Sequence, residues 1–145
     1  MKWSIEKFQK QCTIKELWGF IEDSLGIRNN AYPMYWITER KLGKLRKKGN
    51  IFLAMKGQSM IGCIIVENNY VEILCIKKKY RRKGIGNLLL NHIETKWRRD
   101  KRRKRILVDS VKDFKAKGFY EKMGYRVTEG HLDDSYTWHF EKVIA

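Results

Sequence analysis

The sequence predicts a single-domain α/β (α+β) fold over residues 1–145, a mixed and mostly antiparallel sheet flanked by helices. Three observations predict it. Short apolar-alternating runs read as strands, and they recur on both sides of helical stretches. The middle three runs are joined by turns too short for anything but antiparallel pairing. A long helical stretch then separates two strand-like runs, which calls for one parallel crossover.

Residues 2–8 alternate charged and apolar groups and read as an edge strand. Residues 13–25 read as a helix: Ile14, Leu17, Trp18, Ile21 and Leu25 fall at helical spacing, Thr13 and Glu16 have capping-box spacing, and Gly26 is placed to stop it. After a loop over 27–33, residues 34–48 read as a second helix with Trp36, Ile37, Leu42 and Leu45 on its apolar side, ended by Gly49-Asn50. Strands follow over 51–55, 60–66 and 69–76, with Val71, Ile73 and Cys75 on one face and Glu72, Leu74 and Ile76 on the other. The long helix runs from Ile85 to about Arg103. Residues 105–111 form a strand with Ile106, Val108 and Ser110 on one face, 115–123 a short helix closed by Gly124, and 125–128 and 136–143 a final hairpin.

Length and composition set bounds. At 145 residues the chain can bury a real core, and a single proline argues against disorder. No apolar run approaches the ~18 residues that span a membrane, and the N-terminus has no signal-peptide core, so the expected location is cytoplasmic. Cys12, Cys63 and Cys75 lack metal-ligand spacing and read as thiols in a reducing compartment. His131 and His139 have no ligating company, so no metal is expected. The net charge of +16 is localised: residues 77–105 hold 14 Lys/Arg against Glu94 and Asp100, and 41–48 hold five more. Patches of that kind call for an anionic partner.

The chain turns on the stretch from Asn69 to His92. A strand passes through K-K-K-Y-R-R-K-G-I-G straight into a helix. The first N–H groups of a helix lack intrahelical partners, and the dipole favours an anion there. Gly84 and Gly86 permit close approach, and Arg81, Arg82 and Lys83 add charge. The chemistry is that of a phosphate, and a diphosphate given several donors in a row. No Walker A loop is present, and Leu89 stands where a dinucleotide fingerprint wants a third small residue.

The order Arg81-Arg82-Lys83-Gly84-Ile85-Gly86 resembles the acetyl-CoA signature of the GNAT (GCN5-related N-acetyltransferase) family. A second stretch, from Asp113 to Tyr125, resembles that family's N-x-x-A-x-x-F-Y-x-x-x-G-F segment through Ala116, Phe119, Tyr120, Gly124 and Tyr125. The resemblance covers most of the chain from Ile51 onward and implies an acetyl-CoA-dependent N-acetyltransferase acting by direct transfer to a primary amine, on a small molecule or a protein. It implies cofactor contacts at Leu74, Cys75, Ile76, Arg81, Arg82, Lys83, Gly84, Ile85, Gly86, Asn87, Asp113 and Tyr120. The pantetheine arm is expected to pair with the backbone of residues 74–76 like an added strand. Tyr120 is expected to protonate the leaving thiolate, and Glu72 is the candidate general base, as against an exposed or salt-bridged strand glutamate. Glu67, at a turn, is a weaker candidate. Cys75 is not assigned as a nucleophile. Asp113 departs from the family's Asn: an ionised Asp accepts but cannot donate, so it either weakens a cofactor contact or caps the next helix.

From Lys96 to Arg105, eight of ten residues are basic. This is either a phosphate-backbone contact to nucleic acid or ribosome, with Trp97 stacking or buried, or a solvated helix end. Three functions stay open: acetyl transfer to a small-molecule or protein amine, transfer to an acceptor borne on RNA or ribosome, and a non-catalytic nucleic-acid module. The acceptor pocket is expected between the first two helices and the last hairpin, where Tyr32, Tyr35, Trp36, Tyr136 and Trp138 are candidate walls; Asp133 and Asp134 read as solvated. The resemblance also implies a sheet that splays between the strand over 69–76 and the next one, and that split is a further candidate seat for a homodimer.

Overall fold

A computed structural model describes residues 2–26, 38–111, 115–128 and 137–144. Its elements follow the expected order: β1 (Ser4–Lys7), α1 (Ile14–Leu25), α2 (Glu39–Lys47), β2 (Ile51–Lys56), β3 (Ser59–Glu67), β4 (Tyr70–Ile76), α3 (Ile85–Arg98), β5 (Arg105–Val111), α4 (Lys117–Lys122), β6 (Arg126–Val127) and β7 (Thr137–Val143). They build one seven-stranded sheet in the order β1-β2-β3-β4-β5-β7-β6. All neighbours are antiparallel except β4 and β5, which the α3 crossover makes parallel. The edge placement of β1 is as expected.

Helices cover both faces. On one side Leu17 and Ile21 of α1 and Leu42 and Leu45 of α2 pack with Leu53, Cys63, Ile65, Ile73 and Cys75. Each such side chain contributes about 1.5–3 kcal/mol when fully buried. On the other side Leu89, Leu90, Ile93 and Trp97 of α3 pack with Phe52, Ile64, Ile106, Val108, Tyr120 and Phe140. The Thr13–Glu16 capping box forms, with both bonds at 3.0 Å, and Gly26 closes α1 at φ 67°. Thr38 caps α2 by accepting from the Lys41 N–H at 3.1 Å, so this helix begins at Glu39; the expected start at 34 lies outside the described residues.

Two expectations are corrected. The long helix stops at Arg98, not near Arg103. Asp100 accepts from the backbone N–H of Arg102 at 3.1 Å, a local bond that competes with helix, and further helix would stack Arg98 on Arg102 and Arg99 on Arg103. Within β4 the pairing with β3 slips: Ile73 faces Ile65 but Val71 faces Val66, leaving Glu72 as an extra, bulged residue. The bulge sends Val71 to the α3 side while Ile73 and Cys75 stay on the α1–α2 side, so these three do not share a face. Among the described residues, no helix is long and apolar enough to cross a membrane.

Candidate active site

The site is built on the C-terminal half of β4. The strand pairs with β5 only through Tyr70↔Leu107 and Val71↔Val108, just before the bulge. Past it, the edge of residues 74–76 that faces β5 has no ladder partner among the described residues. Parity decides which groups line that edge. The Lys77 N–H donates to the Ile61 carbonyl at 2.8 Å, so 61/77 is a hydrogen-bonded pair, and Cys63/Cys75 is the next. Leu74 and Ile76 therefore turn their backbone groups toward the split, while those of Cys75 are used by β3. The Ile76 carbonyl accepts from Arg81 Nε at 3.0 Å.

The chain then makes a 3-10 turn, Lys78–Tyr80, with Tyr80 buried as its anchor. Arg82 takes φ 62° and Gly84 φ 85°, a reversal that delivers the chain into α3. No side chain caps α3. Its first intrahelical bond from beyond the cap is Leu88 N–H to the Gly84 carbonyl at 3.1 Å, so the N–H groups of Ile85, Gly86 and Asn87 face outward. The left-handed φ explains the glycine at 84. Gly86 has a different reason: a Cβ there would sit 3.3 Å from the Phe119 ring, so its absence lets α4 close onto α3. Arg81 is not free to face an anion, because its guanidinium is bonded to the carbonyls of Ile76 and Ser24, tying the turn to α1. Arg82 and Lys83 are exposed.

Tyr120 belongs to the core cluster against which Leu74 and Ile76 of β4 pack. It is 5% exposed and ringed by Phe119 at 5.1 Å, Tyr125 at 5.7 Å and Phe140 at 5.2 Å between centroids. Burial, with a smaller effect of Cys75, holds its phenol well above the ordinary tyrosine value, so it keeps its proton at working pH. The Cys63 and Cys75 sulfurs lie 3.5 Å apart, and that bond together with burial pushes the Cys63 thiol up. The thiols therefore belong to the core.

The bulge removes the basis for setting Glu72 beside Leu74 and Ile76. Burial raises its carboxyl above the ordinary glutamate value; Lys41 of α2 opposes this, and Glu67 and Asp109 reinforce it. Glu67 is ion-paired to Lys41 at 2.9 Å. Asp109 lies 2.7 Å from Nδ1 of His139, its partner across β5 and β7. The Tyr70 hydroxyl is also raised, by burial and then by Asp109 and Glu72. Tyr70, Asp109 and His139 thus join Glu72 in one electrostatic neighbourhood. Only strand pairing makes this visible, and no spacing in the sequence announces it. Among the described residues no group of His, Cys, Asp and Glu is arranged to hold a metal.

Asp113, Tyr32, Tyr35, Trp36, His131, Asp133, Asp134 and Tyr136 lie outside the described residues. Trp138 packs against the core with the Lys117 ammonium 4.6 Å above its ring.

The basic stretch divides on inspection. Trp97 is buried under the Arg103 guanidinium, 4.4 Å from its ring centroid, and does not stack outward. Arg102 and Arg103 pair with Asp100, Arg98 with Glu94, and Arg105 with Glu141. Arg99, Lys101 and Lys104 are exposed and have no acid partner among the described residues.

An uncapped helix start thus follows a strand whose far half has no partner on the β5 side among the described residues, and a buried phenol packs in the core cluster beside them. The chain matches the family model for the acetyltransferase (GNAT) domain over residues 37–141, and it belongs to that family. It is thus an N-acetyltransferase that uses acetyl-CoA as cosubstrate. No match was found among curated proteins. Solved structures share the fold. The PaiA N-acetyltransferase from Thermoplasma acidophilum, in complex with coenzyme A, is 20% identical with TM-score 0.74, covering 99% of each chain. The ribosomal-protein-S18-alanine N-acetyltransferase from Escherichia coli is 14% identical with TM-score 0.70, over 99% of this chain and 95% of that one. The NatC complex bound to Gag peptide and CoA is 15% identical with TM-score 0.73, covering 100% of both chains.

Proposed function

We propose that the chain transfers acetyl directly from acetyl-CoA to a primary amine, on a protein or a small molecule. The observation that carries this is a pair of openings joined by one turn: the outward N–H groups of Ile85, Gly86 and Asn87, and the β5-facing edge of β4 at residues 74–76, which no strand pairs with among the described residues. The donor set fits the cosubstrate. The helix start, with Lys83 and Arg82, would hold the diphosphate, and the outward backbone groups of Leu74 and the N–H of Ile76 would pair with the pantetheine amides. When bound, acetyl-CoA supplies an activated acyl group on a good leaving thiolate. Glu72 takes the proton of the incoming ammonium, directly or through water, and its raised carboxyl suits a base working nearer neutrality. Tyr120 gives its proton to the departing sulfur. A protein amino group is the first acceptor to screen, because NatC is bound to a peptide and the Escherichia coli neighbour is named for a ribosomal-protein alanine.

Kinetics of two variants test the roles. Tyr120→Phe lowers kcat about 100-fold, within the range for a general acid. Glu72→Gln lowers it at neutral pH and flattens the acid limb, which exists because Glu72 must be deprotonated to act and which burial shifts up from the ordinary glutamate value in the native chain. Unchanged kcat in both would sink the assignment, and residual full turnover in Tyr120→Phe alone would remove the acid. A second reading places the acceptor on RNA or a ribosomal component. It is favoured by the unpaired Arg99, Lys101 and Lys104 and is tested by the salt dependence described below.

A further inference from the structure

Glu94 is 1% exposed, the most deeply buried acid among the described residues. Both carboxylate oxygens are used. The Tyr125 hydroxyl donates to Oε2 at 3.0 Å, the Lys142 ammonium donates to Oε1 at 2.8 Å, and Arg98 donates to Oε1 at 3.3 Å. Lys142 also donates to the Met123 carbonyl at 2.7 Å, and its stem lies against Gly124, which turns the chain at φ 90°. Glu94 thus joins α3, the turn after α4 and β7 at one point. A buried carboxylate is tolerated only when paired in this way, and an apolar residue of similar size would often hold the core equally well. What an apolar residue cannot supply is direction: a hydrogen bond fixes where the Tyr125 ring stands.

That ring meets Tyr120 edge-on, at 5.7 Å and 70°. Tyr120 also meets the Phe119 ring, at 5.1 Å, and Phe119 closes against Gly86 at the start of α3. Tyr120 is therefore flanked by two contacts with α3, an apolar one from Phe119 of α4 and a polar one from Tyr125 just after it. We propose that Glu94 is a positioning residue for acetyl transfer: through Tyr125 and Lys142 it sets the Tyr120 hydroxyl relative to the anion-binding turn. The inference rests on the role given to Tyr120 above.

The test compares Glu94→Gln, Tyr125→Phe, Tyr120→Phe and the Tyr120→Phe/Tyr125→Phe double variant. Two readouts are taken: kcat with the acetyl-CoA KM, and amide hydrogen exchange of residues 117–125 in the protein without ligand. Tyr125→Phe keeps the ring and removes only the hydroxyl, so it remains informative where Glu94→Gln fails to fold. Expected are roughly tenfold faster exchange confined to 117–125, about a tenfold fall in kcat, a KM within about twofold, and no further loss in the double variant, because a missing hydroxyl needs no positioning. Unchanged kcat in Glu94→Gln and Tyr125→Phe beside a large loss in Tyr120→Phe overturns the clamp and leaves the acid role standing. Additive losses in the double variant overturn it too. Unchanged kcat in Tyr120→Phe removes the acid role and the clamp's purpose with it.

Discussion

The two ends of α3 are both crowded with cations, yet they are built for different tasks. At the start, Gly84 and the 3-10 turn leave backbone donors open, and Arg82 and Lys83 face outward. At the far end, Asp100 and Glu94 absorb Arg98, Arg102 and Arg103, and Trp97 is roofed over by Arg103. Charge density alone does not locate an anion site. What locates it is charge together with donors that the protein itself leaves unsatisfied.

Lowering the charge by one at each end is the strongest way to break this contrast. Gly84→Glu adds an acid at the helix start and forces a side chain into a left-handed φ. Isothermal titration is expected to show acetyl-CoA affinity falling about 100-fold, whereas Lys101→Gln changes it less than about twofold. Equal losses at both ends would mean that bulk charge, not the open turn, holds the ligand. The second comparison concerns the far end alone. If Arg99, Lys101 and Lys104 contact RNA, replacing all three by Gln lowers the slope of log affinity against log salt by about 2 for a single strand. A slope that does not move assigns the three to ordinary solvation. The smallest effect is expected at Gly86→Ala. The new methyl presses on Phe119, while alanine favours the helix; the two offset to within about 1 kcal/mol. The melting temperature should then move only a few degrees, with kcat falling two- to threefold as α4 shifts. A collapse in stability would show that Phe119 cannot give way.

Much of this was legible in the sequence. Periodicity carries the element order: α1 and β5 bury one stripe or face each, while β2 and β3 are short continuous apolar runs buried on both faces. The Thr13–Glu16 box and Gly26 declare their helix ends, and the turn before Ile85 carries the charge and glycines on which the proposed anion site rests. What stayed hidden depends on partners distant in the chain. The bulge at Glu72 comes from how β4 meets β3, so simple alternation misplaced Val71. The Asp109–His139 contact needs the β5–β7 register. Cys75 shows the same limit: the sequence suggests that its backbone greets the cofactor, but parity hands those groups to β3. Glu94 did leave a mark. It falls between Leu90, Ile93 and Trp97 on the buried stripe of α3, where a charge calls for a partner.

The two-pair junction between β4 and β5 has a thermodynamic consequence. The sheet consists of a four-strand part and a three-strand part, and the seat proposed for the ligand is the seam between them. A cosubstrate that pairs with β4 and lies beside Tyr120 crosses that seam, so its binding free energy is also cohesion between the two parts. At a concentration one hundred times its dissociation constant it adds about 2.7 kcal/mol against unfolding. If the cosubstrate occupies that seam, the loaded protein is expected to resist heat and proteolysis better than the empty one, by an amount that grows with acetyl-CoA concentration.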